Sequence, residues 1–270
     1  MLAVFNLKSC LVDDPVERTR PLNFGERTQQ VLAIENNQLQ DDLSSLATFT
    51  SKKLFKIKEK KTQVMKFNFA KTQDFPIELN IPGFKNMVEE TTKTKLLGVI
   101  LTTNLKWEAN TDYICAKAYK SMWTLRRMKV LDVDPNIILD VYCKEIRSVL
   151  ELAVPAWHSG LTKKQTACIE RVQRVAAYVI LSDCLTGQSE YSYNAALDIL
   201  GIETLEQRRL KLCQSFTMKT LKSRHADIFR PNPNQHFTRS KPNFFINKRN
   251  TKRYFNYPIN FLTRILNSES

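Results

Sequence analysis

No run of eighteen apolar residues occurs in the chain, so no membrane-spanning helix is expected and no membrane partner. The opening MLAVFNLKSC has a short apolar patch without a basic head, and is not expected to act as a secretory signal. No Cys-x-x-Cys pair exists. The six cysteines (Cys10, Cys115, Cys143, Cys168, Cys184 and Cys213) are widely scattered. Cys115, Cys143, Cys168 and Cys213 fall within helical patterns, where a free thiol behaves as a small buried hydrophobe. Reduced thiols in an intracellular setting, nucleus or cytoplasm, are expected. The three histidines (His158, His225 and His236) lack ligand spacing such as His-x3-His, which argues against a zinc site. No internal repeat is evident.

What the chain does have is size, a core and an uneven charge. Its 270 residues suit one large or two small domains, and 43% hydrophobic residues suffice for a core. Of the net charge of +14, nearly all lies in the C-terminal part: residues 207 to 264 hold fourteen Lys or Arg and one acid, Asp227. The same region carries Phe237, Phe244, Phe245, Tyr254, Phe255, Tyr257 and Phe261. Cations interleaved with aromatics suit a polyanion whose bases stack, RNA or DNA, single-stranded or at a primer end. Lys241, Lys248, Arg249, Lys252, Arg253 and Tyr254 are the candidate contacts. A solvated tail is the alternative.

The pattern divides the chain into four zones. Residues 1–35 read as irregular, with Pro15, Pro21, Gly25 and many charges. Residues 36–108 read as one helix, Asn37 to Phe49, plus short strands at Phe55 to Ile57, Val64 to Phe69, Glu78 to Ile81 and Leu96 to Leu101. Residues 109–223 read as four main helices. The first is capped by Asn110 and ends in Arg126 and Arg127, which could bind phosphate. The second starts at Asp134-Pro135 and ends before Pro155. Thr162 with Gln165, and Thr204 with Gln207, form capping boxes for the others. Ile169, Val172, Ala176, Val179 and Ile180 make an apolar stripe opposite Lys163, Arg171 and Arg174. Leu205, Leu212, Phe216 and Leu221 continue the core. Trp107, Trp123 and Trp157 are expected in the interior. Residues 224–270 read as an irregular basic tail. The helical stripes end before it, so it is expected to be dispensable for folding. The fold class is α+β: a small antiparallel sheet followed by a helical bundle.

TKLLGVILTTNLKWEANTDYICAKAYKSMWTLRRMKVL (Thr94 to Leu131) resembles the end of the palm and the start of the thumb in reverse transcriptases of non-LTR retrotransposons. RPLNFGERTQQVL (Arg20 to Leu32), FKIKEKKTQVMKFNF (Phe55 to Phe69), KEIRSVLELAVPAWHSGLT (Lys144 to Thr162), IERVQRVA (Ile169 to Ala176) and LTRILN (Leu262 to Asn267) resemble the same reading frame, in the same order. The resemblance implies a hairpin with Leu97-Gly98 at its centre gripping the primer end, and a first thumb helix, bearing Arg126 and Arg127, along the duplex. It places Lys61 near an incoming triphosphate. A solvated run (Lys56, Lys58, Lys60 and Lys61) is the alternative.

Such polymerases hold Mg2+ on two carboxylate stations, and this chain departs from the family there. Leu11-Val12-Asp13-Asp14 is followed at once by Pro15 and a charged stretch, without the second apolar strand that would bring both carboxylates onto a metal. A surface turn is the better reading. No cofactor is expected in this chain, Mg2+ belonging to the complete parent polymerase. Trp157-His158-Ser159 shows no acid partner for a hydrolase triad. The Leu-Leu-Gly to Lys-Trp to Arg-Arg segment also resembles an N-terminal domain of AlkB-type tRNA methyltransferases, enzymes coupled to 2-oxoglutarate-dependent hydroxylation. A His-x-Asp…His iron triad and a glycine-rich methyl-donor loop are both missing. The expected function is a reverse transcriptase fragment without catalytic aspartates, inactive alone, that retains a nucleic-acid-binding thumb. The alternatives are a dioxygenase or methyltransferase accessory domain, and a relic without function.

Overall fold

The computed structural model describes residues 2–6, 29–33, 36–55, 57–67, 81, 84–85, 88–181, 192–232, 243–246 and 255–269. The fold is α+β, and the chain divides into two units, Met1–Lys106 and Trp107–Ser270. Among the described residues no helix is long and apolar enough to cross a membrane.

The first unit holds a four-stranded sheet in the order β2-β1-β3-β4. β1 (Leu2–Asn6) pairs antiparallel with β2 (Gln29–Ala33), Val4 opposite Val31, and with β3 (Gln63–Phe67), Val4 opposite Met65. The stretch 1–35 is therefore not irregular throughout. Its two strands are short and find partners only far along the chain, so local pattern does not reveal them. The sheet is also not wholly antiparallel, because β4 (Glu89–Glu90) adds parallel to β3. Helix α1 (Asn36–Lys52) ends in a Schellman motif: the Phe55 N–H donates to the Thr50 carbonyl at 2.8 Å, with Leu54 left-handed at φ 58°. That turn takes the place of the strand expected at Phe55 to Ile57. The strand expected at Glu78 to Ile81 lies outside the described residues except for Ile81, which is buried in non-strand backbone.

β5 (Lys93–Leu96) and β6 (Val99–Thr102) form a separate hairpin. Leu97 and Gly98 are its two turn residues, with φ 46° and 90°, the sign a two-residue type I′ turn needs. The run Leu96 to Leu101 is thus two strand pieces around a turn. Met65 and Phe67 on β3 form a core with Leu96, Leu101 and Leu105 packed against it.

The second unit is helical. α2 (Glu108–Val130) and α6 (Lys163–Leu181) make its most extensive helix pair. α2 starts two residues before Asn110, which is buried in the first turn and is not the cap. α3 (Pro135–Val141) starts where expected: the Asn136 N–H donates to Asp134 Oδ1 at 2.7 Å. It runs on through a π-helical turn, Tyr142–Arg147, into α4 (Ser148–Leu150). α5 (Val154–Trp157) and a 3-10 turn, His158–Gly160, lead to α6. There Thr162 and Gln165 make both halves of the capping box, at 2.7 and 3.2 Å. α7 (Tyr193–Leu200) follows and stops at Gly201, left-handed at φ 61°. On α8 (Leu205–Leu221) the Gln207 N–H donates to Thr204 Oγ1 at 3.2 Å. α8 buries Leu205, Arg209, Cys213, Thr217 and Thr220, while Phe216 is exposed and Leu212 half-buried. Its inner face is rotated by about one residue from the expected stripe.

The tail is not irregular throughout either. α9 (Pro258–Glu269) buries Asn260, Leu262, Thr263, Ile265 and Leu266, and packs on α8, α5 and the His158–Gly160 turn. Asn267 holds Phe244 by both backbone groups, at 3.0 and 3.1 Å. Phe244 meets Phe229 edge-on, and the Arg264 guanidinium lies 3.5 Å from the centre of the Phe255 ring.

Candidate nucleic-acid interface

An α-helix turns about 100° per residue, so positions three, four and seven apart share a face. On α2 the inner face holds Thr111, Ile114, Cys115, Ala118, Met122 and Leu125. The neighbouring flank carries Tyr119, Trp123, Arg126, Arg127 and Val130. Trp123 is 68% exposed and Val130 75%, which removes Trp123 from the expected core. Trp107 and Trp157 are interior as expected, at 7% and 1%. Arg126 and Arg127 are exposed and make no ion pair among the described residues. Acids occupy the same flank only at the start of the helix, at Glu108 and Asp112. Cations in the last turns also complement the negative end of the helix dipole.

α6 packs against α2 and has exposed cations of its own. Its apolar stripe is buried, Val179 only partly, and Arg171, Arg174 and Tyr178 point outward. Arg171 is near enough to Tyr119 to oppose, in part, the upward shift that burial gives the phenol. Arg174 sits 4.9 Å from the Tyr193 ring centre. Arg171 of α6 thus lies near Tyr119 of α2, while Arg174 meets Tyr193 of α7.

The other expected contacts belong to the first unit or lie outside the described residues. Lys61 ends a 3-10 turn, Glu59–Lys61, and is exposed. Leu97 and Gly98 form the hairpin tip, with Leu97 exposed. These three belong to the first unit, Arg126 and Arg127 to the second. Lys241, Lys248, Arg249, Lys252, Arg253 and Tyr254 lie outside the described residues. Of the tail aromatics, Phe244 and Phe255 are engaged in packing, while Phe245 is exposed.

The interior of the second unit contains a polar relay. The Tyr142 hydroxyl donates to Gln173 Oε1 at 2.7 Å. Gln173 Nε2 donates to the Tyr193 hydroxyl at 3.0 Å and the Glu203 carbonyl at 2.9 Å. Tyr193 donates to Glu170 Oε1, which also accepts from the Leu205 N–H. Burial and the adjacent carboxylate push the Tyr193 phenol well above its ordinary range. Glu151 takes a bidentate contact from Arg208 at 2.5 and 3.0 Å.

Among the described residues, other buried polar atoms have no hydrogen-bond partner. Arg209 is 1% exposed, and its Nε, Nη1 and Nη2 meet no acceptor. Glu170 Oε2, His158 Nδ1 and Ser159 Oγ are likewise unpaired. Gly160 lies beneath the Trp107 indole: a Cβ on it would stand 2.4 Å from Nε1. Burial raises Cys115 to about 11 and Cys213 to about 12, which makes both thiols inert at neutral pH.

Burial, then the charge of Arg209, lower the His158 pKa from 6.5 to about 4. The folded value lies below the unfolded one, so the neutral ring's contribution is complete above pH 6.5. It is lost as pH falls through 6.5 towards 4. The urea midpoint should drop across that window, and His158→Gln should flatten the drop. An identical acid limb in the variant would remove His158 as its cause.

Among the described residues no three His, Cys, Asp or Glu side chains are grouped to hold a metal ion, and Asp13 and Asp14 fall outside them. No family model, curated protein or solved structure matches the chain.

Proposed function

We propose that this chain is a nucleic-acid-binding fragment of a non-LTR reverse transcriptase, without the catalytic carboxylates, which grips RNA or DNA through its helical unit. The supporting observation is the outer flank of α2, where Arg126 and Arg127 stand beside exposed Tyr119 and Trp123. The net charge of +14 favours a polyanion, and the cations of residues 207 to 264 add to the same attraction. Each phosphate neutralised releases condensed counterions, so affinity should fall steeply with salt.

Fluorescence anisotropy of labelled oligonucleotides at low and high salt tests this reading. The joint replacement Arg126→Glu and Arg127→Glu should weaken binding about tenfold or more at low salt and reduce the salt slope by about two phosphate contacts. Both side chains are exposed, so the fold should persist, with a loss of about 1 to 2 kcal/mol from placing two negative charges near the negative end of the helix dipole. Unchanged affinity in the double variant would remove this flank from the interface.

A further inference from the structure

Trp123 stands out among the three tryptophans. Trp157 is sealed in the core with its Nε1 donating to the Leu152 carbonyl at 2.8 Å, and Trp107 is wedged against Gly160. Trp123 is 68% exposed in the middle of the longest helix of the second unit, where a polar side chain would serve folding as well. Val130, 75% exposed, lies two turns on along the same flank, but most of the neighbours of Trp123 are cationic. Arg126 and Arg127 follow it by three and four residues, and Lys120 precedes it by three. Tyr119, 38% exposed, lies one turn back on the same flank. Four residues advance about 6 Å along a helix, so each ring has room for its own planar partner.

We infer that Trp123, with Tyr119 beside it, is a stacking platform for unpaired bases, so that the nucleic acid this flank takes is single-stranded or frayed at its end. The inference rests on the nucleic-acid reading above and adds to it the ligand class and the residue that selects it. An indole stacks on any base that offers a free face, without regard to sequence. In an intact duplex those faces are covered by neighbouring pairs and only the phosphates are reachable. Arginines binding phosphate would hold both forms. Only the free base gains the ring contact, so Trp123 sets the preference while Arg126 and Arg127 supply the attraction.

The same geometry provides the readout. Trp107 and Trp157 are shielded, so a change in tryptophan emission on adding oligonucleotide reports on Trp123. The probes are a short oligothymidine and the same strand annealed to its complement. The single strand should quench the emission and bind more tightly than the duplex. Trp123→Ala should weaken the single strand by roughly 5- to 150-fold, the usual value of one stacked base. It should leave the duplex within about threefold, because no phosphate contact is lost. Trp123→Phe should retain part of the single-strand affinity while abolishing the quench. Equal loss for both probes, or no loss with Trp123→Ala, would overturn the stacking role. If Arg126→Glu with Arg127→Glu still lowers affinity in that case, the nucleic-acid reading survives. Failure of the unaltered chain to bind either probe would overturn both.

Discussion

Ending the chain after Arg224 should unfold the helical unit. α9 buries Leu262, Ile265 and Leu266 against α8, α5 and the His158–Gly160 turn. Each aliphatic side chain taken fully out of water contributes about 1.5 to 3 kcal/mol, so the three together contribute on the order of 5 kcal/mol or more. That is comparable with the whole stability of an ordinary domain, about 5 to 15 kcal/mol. Truncation also uncovers the surfaces beneath the helix. Circular dichroism of the shortened chain should show reduced helix and no cooperative melt. Ile265→Ala in the full chain should cost about 2 to 5 kcal/mol while leaving the fold in place. A truncated chain that melts as sharply as the full one would show that α9 is an ornament.

Replacing Arg209 by methionine should stabilise the protein. Among the described residues no acceptor meets the three nitrogens of this buried guanidinium, so the carboxylates of Glu170 and Glu206 return only part of its desolvation cost. Burial lowers its pKa, so the charged form is disfavoured in the fold at every pH below that value, neutral pH included. Methionine has a similar reach and no charge. The expected gain is about 1 to 4 kcal/mol in urea unfolding. His158 should titrate higher in the variant, since Arg209 is one of the two causes of its depression. A loss of stability instead would mean that the guanidinium has an anion. The unpaired Glu170 Oε2 is the first to examine, by Glu170→Gln.

Much of the helical architecture was legible in the sequence because it is written locally. Asp134, Thr162 with Gln165, and Thr204 each announce a helix start within four residues, and each makes the expected bond. The stripe from Ile169 to Ile180 identified the inner face of α6 for the same reason. Pairing and orientation were less legible. β1 and β2 depend on backbone pairing that sets Val4 opposite Val31 and Met65, information spread over sixty residues. The inner face of α8 includes Arg209, Thr217 and Thr220, so a rule that sends apolar residues inward points it the wrong way. Trp123 fails the same rule in the opposite sense. At the candidate interface, Arg126 and Arg127 could be picked from their place at a helix end. The aromatic pair beside them could not, since exposure is decided by what α2 packs against.

The relay from Tyr142 through Gln173 and Tyr193 to Glu170 also bears on which arrangement of helices the chain selects. Its hydroxyl protons all point one way, towards the carboxylate, and the Gln173 amide can face only one way between a donor and an acceptor. A seam of aliphatic side chains tolerates sliding by a turn, because one apolar contact is nearly as good as the next. Here a slide of α6 would strand a donor or an acceptor without water to replace it. Such a network adds little to net stability. What it supplies is uniqueness: one alignment of α6 with α7 and the π-helical turn, and a penalty on every near miss.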